Sequence, residues 1–357
     1  MTSETTLDFQ VEKVADSRLS EFDPANIQFG KQYADHMLVC EYDNGQWGTP
    51  RIVPFGDIAM SPATTVLHYG QAIFEGIKAY RQENGEIAIF RPDKNWERFN
   101  RSAERMAMPA IPQDLFIEGL RKLIKTDSGW VPEGEGTSLY LRPFMIGTDA
   151  FIGVKPAEKF SFIIITSPAG PYYSKPVSIY VQDEYVRAFP GGTGFAKNAG
   201  NYGACMAPTM KARSLGYDQI LWTDGFEHKY VQEIGTMNVW FVIGDKAVTP
   251  SLDGGTILEG VTRDSVATLL REHGITVEER PITTDELVEA FRNGELKEAF
   301  GTGTAASIAP IAELTIHGEH MQLPPVEDWK VANWVKQEMN NIRYGATPDT
   351  RGWIFKV

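Results

Sequence analysis

Gly191-Gly-Thr-Gly-Phe-Ala-Lys-Asn-Ala-Gly-Asn-Tyr-Gly203 holds five glycines and a single cation, Lys197. No Asp or Glu occurs between Glu184 and Asp218. Small neighbours let a flat or phosphorylated ligand approach the backbone closely. A lysine with no carboxylate near it in sequence suits a Schiff-base role, which needs the free amine. The same composition also describes a glycine-rich surface loop with one exposed lysine. The stretch matches neither the P-loop pattern nor the dinucleotide fingerprint, which argues against a nucleotide-dependent oxidoreductase.

Three more segments carry candidate chemistry. In Leu258-Glu-Gly-Val-Thr-Arg-Asp-Ser-Val266 a glycine precedes Thr262, and Val266, Leu269 and Leu270 give a helical apolar face. Thr262 therefore falls near a helix N-terminus, where free N–H groups and the dipole seat phosphate. An ordinary threonine N-cap fits the same pattern. Phe300-Gly-Thr-Gly-Thr-Ala-Ala-Ser307 can make a tight turn that aims N–H and hydroxyl groups at one anion, or a loop entering a helix. Glu233 opens a largely apolar run in Val231-Gln-Glu-Ile-Gly-Thr-Met-Asn-Val-Trp240. A lone acid there is commonly a solvated edge residue; a buried one needs a cationic partner. His317 and His320 lack a third ligand pattern and read as surface residues, so no metal site is expected.

Around these segments the chain alternates strand-like and helix-like stretches. Asp93 to Met108 and Leu115 to Ile124 show helical spacing, while 37–42, 87–90, 138–146, 160–166, 177–181, 219–222 and 237–243 read as strands. Further helical patterns cover 263–272, 284–293 and 328–340. Ser167-Pro-Ala-Gly-Pro-Tyr-Tyr-Ser-Lys-Pro176 packs three prolines and a glycine into ten residues and is the best linker candidate. The expected organisation is α+β: two mixed α/β domains, 1–170 and 181–357, joined by a short Pro/Gly-rich linker at 171–180.

The 357 residues suit two domains, and 42% hydrophobic with 23% charged residues is ordinary for a globular chain. A net charge of −13 disfavours nucleic acid and anionic membrane surfaces. No apolar run approaches a bilayer span, and the polar N-terminus resembles no signal or transit peptide. Two distant cysteines, Cys40 and Cys205, exclude a disulfide scaffold and a four-cysteine zinc site. The cytoplasm is the expected compartment.

Read in order, Gly-Phe-Ala-Lys197-Asn-Ala-Gly-Asn-Tyr202-Gly, Glu233-Ile-Gly-Thr-Met-Asn238, Leu-Glu-Gly-Val261-Thr262-Arg and Gly-Thr-Gly-Thr304-Ala305 resemble the branched-chain amino acid aminotransferases. Leu67-His-Tyr-Gly-Gln-Ala-Ile-Phe-Glu-Gly76 and Leu139-Tyr-Leu-Arg-Pro143 extend the resemblance, which runs from about Phe29 to Tyr344. These are fold-type IV enzymes that use pyridoxal 5′-phosphate (PLP). The resemblance implies that the larger C-terminal domain binds PLP. It implies transfer of the amino group of L-leucine, L-isoleucine or L-valine to 2-oxoglutarate through a PLP/pyridoxamine phosphate ping-pong cycle.

The resemblance also implies roles for single residues. Lys197 would be the catalytic Schiff-base lysine and proton shuttle. Glu233 would meet the pyridinium nitrogen and Tyr202 the ring hydroxyl oxygen. Arg98, Val261, Thr262 and Thr304 would hold the phosphate, with Thr236 completing the cofactor set. Read from spacing alone, Arg98 shares a helical face with Arg101, Ser102 and Arg105 and would be solvated. Phe29, Phe74, Tyr140 and Tyr172 would wall the substrate pocket. Arg142 would meet the distal carboxylate of glutamate, and the turn at Thr304 and Ala305 the α-carboxylate. Tyr69, Ile152 and Val154 would reach the neighbouring site in a homodimer.

Overall fold

The computed structural model describes residues 7–173 and 175–357. The chain divides into two compact units. One ends at Pro171 and takes back Asn341–Val357; the other is Tyr172–Asn340. This differs from the expected boundaries in two ways. The strand Val177–Gln182, which overlaps the expected linker 171–180, already belongs to the second unit's sheet. The last residues of the expected 181–357 domain belong to the first unit instead.

The Pro-rich stretch misled because one of its prolines lies within a strand, Phe160–Ala169. Pairing with His36–Asp43 stops at Ile164, and the Thr166 carbonyl accepts from Ala34 N–H on that same side. Pro168 faces the same edge beyond that ladder, where its missing N–H deprives no neighbour.

The first unit is a ten-stranded, mostly antiparallel sheet. Its path runs Gln10–Val11, Arg51–Pro54, His36–Asp43, Phe160–Ala169, Ser138–Gly147, Ile77–Arg81, Ile87–Phe90 and Ile354–Lys356. Helices Pro92–Arg105 and Gln113–Thr126 bury Phe99, Phe116, Leu120 and Leu123 against Leu38, Ile77, Leu139, Leu141 and Phe162 of the sheet. Strand side chains alternate between faces. Lys78, Tyr80, Tyr140 and Arg142 therefore stand on the opposite face from that core.

The second unit is a nine-stranded mixed sheet. Val177–Gln182 pairs in parallel with both Gln219–Thr223 and Ser307–Ile316. Leu296–Gly303 and Asn238–Ile243 continue the sheet antiparallel. Helix Val261–Glu272 packs against this part of the sheet. The buried Glu298, on the strand Leu296–Gly303, accepts the N–H groups of Lys330, Val331 and Ala332 at 2.7, 2.9 and 2.7 Å. Those donors lie at the start of helix Val331–Tyr344, so the carboxylate caps a helix the sequence places at 328–340. Among the described residues no helix is long and apolar enough to cross a membrane.

Candidate active site

Lys197 sits in a loop braced from within. Asn201 Nδ2 donates to the carbonyls of Thr193 and Ala196, both at 2.8 Å, and Thr193 Oγ1 donates to Asn201 Oδ1. Asn198 caps the short helix Ala199–Gly203 through its side-chain oxygen. The loop is thus folded down rather than splayed on the surface. Lys197 is half-buried, and its Nζ donates to Tyr202 Oη at 2.6 Å. Gly194 lets the loop press inward: a Cβ there would stand 2.4 Å from the Thr256 carbonyl oxygen.

Glu233 is buried, not a solvated edge residue. It lies on the strand Val231–Ile234, which turns at Gly235 and Thr236 into Asn238–Ile243. Its Oε2 pairs with Arg187 Nε at 3.3 Å, and its Oε1 accepts Leu258 N–H at 2.7 Å. Burial of a carboxylate demands a cation, and the chain supplies one in Arg187. The same guanidinium donates to the carbonyls of Gly194 and Thr256, tying the lysine loop to Glu233. Arg187, Gly194, Tyr202, Glu233, Thr236 and Leu258 line one cleft. Burial raises the Cys205 thiol, which makes it an inert wall rather than a nucleophile.

Val261 and Thr262 are the first two residues of their helix, with Gly260 as N-cap, so Thr262 is not itself the cap. A helix leaves its first N–H groups without intrahelical acceptors, which is what an anion uses. Thr304, Ala305 and Ala306 form the turn between Leu296–Gly303 and Ser307–Ile316, where Gly303 pairs with Ser307. That turn is a hairpin and enters no helix.

The first unit gathers a second group of expected residues. Arg142 NH2 donates to Tyr140 Oη at 2.9 Å, and its guanidinium lies over the rings of Phe74 and Tyr140 at 4.7 and 5.3 Å. Phe29 meets Tyr140 edge to face, with centroids 5.0 Å apart. Gly76 is required beside them, since a Cβ would fall 2.3 Å from Tyr140 Oη. Arg98 is buried rather than solvated and forms a two-pronged pair with Glu75, both contacts at 2.7 Å. Asn95 also donates to Glu75 Oε2 at 2.7 Å.

The remaining expected residues are exposed. Tyr69, Ile152 and Val154 are 40%, 68% and 91% accessible, and an isolated bridge between Thr64 and Ala150 sets their segments side by side. Tyr172 stacks edge-on with Tyr173. His317 donates to or accepts from Thr284 Oγ1, and His320 stands 3.5 Å from Glu313. Among the described residues no group of His, Cys, Asp or Glu could hold a metal ion. Sequence reasoning missed Arg187, Leu258 and Glu75. For Arg187 a signal existed: it is the one charged residue between Glu184 and Lys197.

PLP needs an amine for its aldehyde, an anion for its ring nitrogen and a seat for its phosphate. The second unit supplies Lys197 Nζ, the buried Glu233 carboxylate and the N-terminus of Val261–Glu272, and the donor set fits that cofactor. Comparison with known proteins agrees. Residues 72–314 match the family model for amino-transferase class IV. The chain is 46% identical over 340 residues to branched-chain-amino-acid transaminase 1 of Bacillus subtilis (strain 168), covering 94% of this chain and 95% of the relative. The branched-chain aminotransferase of the thermophilic archaeon Thermoproteus uzoniensis, solved with norvaline, is 25% identical. It superposes with a TM-score of 0.75 over 90% of this chain and 99% of its own. The branched-chain amino acid aminotransferase from Escherichia coli is 26% identical with a TM-score of 0.72, over 90% of this chain and 98% of its own. The protein thus belongs to the branched-chain-amino-acid aminotransferases of the class IV, fold-type IV family.

Proposed function

We propose that this chain transfers the amino group of L-leucine, L-isoleucine or L-valine to 2-oxoglutarate, with Lys197 as its catalytic amine. The observation that carries the residue assignment is the Lys197 Nζ to Tyr202 Oη hydrogen bond of 2.6 Å, in the same loop system as the buried Glu233. When bound, PLP supplies the electron sink that stabilises negative charge at the substrate α-carbon. Lys197 Nζ takes and returns the α-proton, and Tyr202 Oη orients that nitrogen. Glu233, its two oxygens held by Arg187 and Leu258 N–H, would meet the ring nitrogen. The N–H groups of Val261 and Thr262 hold the phosphate, with Arg98, Thr236 and Thr304 in the same cofactor set.

One substrate side chain is apolar and the other ends in a carboxylate. Phe29, Phe74, Tyr140 and Tyr172 serve the first. Arg142, held over two rings, serves the second without presenting a bare charge to leucine. Thr304 and Ala305 hold the α-carboxylate. A homodimer is part of the reading: exposed Tyr69, Ile152 and Val154 are apolar groups that a second copy would cover. The enzyme is assigned to the cytoplasm.

The test is the visible spectrum of the purified protein before and after L-leucine alone. The expected result is a yellow band that bleaches with L-leucine and not with D-leucine. Lys197→Ala should lack both the band and turnover. Near-wild-type transamination by that variant overturns the assignment.

A further inference from the structure

Two side chains from one hairpin grip the same residue. Glu233 Oε1 accepts Leu258 N–H at 2.7 Å, and Asn238 Nδ2 donates to the Leu258 carbonyl at 2.8 Å. Glu233 and Asn238 stand on the two arms joined by the turn at Gly235 and Thr236. Leu258 is therefore fixed at both backbone groups, by a fork whose prongs are themselves buried.

The fork continues into the helix. Gly260 is the N-cap, with φ −72° and ψ 128°, an extended conformation open to any residue. Backbone freedom does not explain the glycine; space does. A Cβ at position 260 would lie 2.0 Å from Asn238 Oδ1 and 3.3 Å from Arg263 Cβ. Asn238 cannot swing aside freely, because its amide is committed to the Leu258 carbonyl and its backbone is paired with Thr302 in the sheet. Thr302 Oγ1 is itself buried without a protein partner.

We propose that Asn238 is a positioning residue, which with Glu233 and Gly260 sets the spacing between the ring-nitrogen anion and the N-terminus of Val261–Glu272. This rests on the cofactor reading above. The hairpin presents Glu233 to one end of the cofactor. The same hairpin, through Asn238 and Leu258, places the first helical N–H groups for the other end. A rigid cofactor of fixed length then meets both ends only while the fork holds. Leu258, which lines the same cleft as Glu233, is kept in place by the same two bonds.

The test compares affinity for PLP with affinity for pyridoxal, which lacks the phosphate, by equilibrium dialysis of the apo-protein. Wild type should favour PLP strongly. Asn238→Ala, and Asn238→Asp should the alanine variant fail to fold, should cut that preference about tenfold, the effect of one lost buried hydrogen bond. Affinity for pyridoxal should change little. Gly260→Ala should do the same, because its Cβ evicts the Asn238 amide. The double variant Asn238→Ala with Gly260→Ala should be no worse than Asn238→Ala alone, since both break one contact. Equal loss of affinity for both ligands, an unchanged preference, or additive effects in the double variant would overturn the proposal. A wild type indifferent to the phosphate would instead sink the cofactor reading beneath it.

Discussion

Replacing Arg187 by Met removes the cation beside Glu233 and keeps an unbranched chain to fill its space. Both side chains are buried, at 7% and 4% exposure. Deleting one partner of a buried pair leaves the other charge in a poor solvent and costs about 3–5 kcal/mol. The two carbonyl hydrogen bonds to Gly194 and Thr256 are lost as well, at about 1 kcal/mol each. Leu258 N–H still serves Glu233, which limits the loss. A destabilisation of about 4 kcal/mol is expected for the apo-protein. Urea unfolding followed by tryptophan fluorescence, to which the fully buried Trp222 and Trp240 of that unit contribute, measures it. A second variant separates charge from packing. Arg187→Met with Glu233→Gln leaves no buried charge and should recover about 2 kcal/mol over Arg187→Met alone. A single-variant loss under about 1 kcal/mol, or a double variant equal to the sum of the singles, would refute the argument that Arg187 neutralises Glu233.

Burial, with a further push from Arg343, lowers the Lys78 amine from 10.5 to about 7. Between those values the unfolded chain binds more protons than the folded one, so Lys78 destabilises fully below about pH 7 and not at all above 10.5. Stability should rise by about 3 kcal/mol from pH 6 to pH 9 on this account, and Lys78→Met should flatten that slope in urea titrations at the two pH values. Glu298→Ala strips the acceptor from three N–H groups and should cost about 3 kcal/mol, with faster amide exchange at Lys330, Val331 and Ala332 than elsewhere. Arg142→Ala should raise KM for glutamate and 2-oxoglutarate by about tenfold or more while leaving leucine little changed; equal effects on both would make Arg142 structural.

Periodicity located the two helices of the first unit because Phe99, Ala103, Leu120 and Ile124 repeat at helical spacing on buried faces. It did not locate helix Met206–Ser214, where Met206 and Met210 are exposed and no apolar stripe marks a core side. The three-residue strand Ile354–Lys356 is too short to show alternation. Proline density marks the stretch 167–176 but does not reveal that Pro168 lies within the strand Phe160–Ala169, past the end of its ladder with His36–Asp43. Within the proposed site, Lys197 and Thr262 stand in short local motifs that the sequence singles out, whereas the burial of Glu233 against Arg187 is a pairing that the local pattern does not show. Arg98 could not be read locally either, because its burial depends on Glu75, 23 residues away in sequence. The Asn238 contact with Leu258 spans 20 residues and shows no pattern either. What escapes the sequence is pairing: which polar group, brought in by the fold, satisfies which.

The return of the chain to its first unit has a consequence for the order of synthesis. Ile354–Lys356 pairs with Ile87–Phe90, and among the described residues nothing else in the sheet path lies beyond that edge. Domains on a ribosome tend to fold as they emerge, the N-terminal one first. Here the N-terminal sheet must wait with Ile87–Phe90 bare through translation of the whole second unit. A bare edge invites pairing with another nascent chain. Deletion of Ile354–Lys356 would therefore injure a part of the protein made earlier, and its mark would be aggregation of new chains more than loss of cofactor binding.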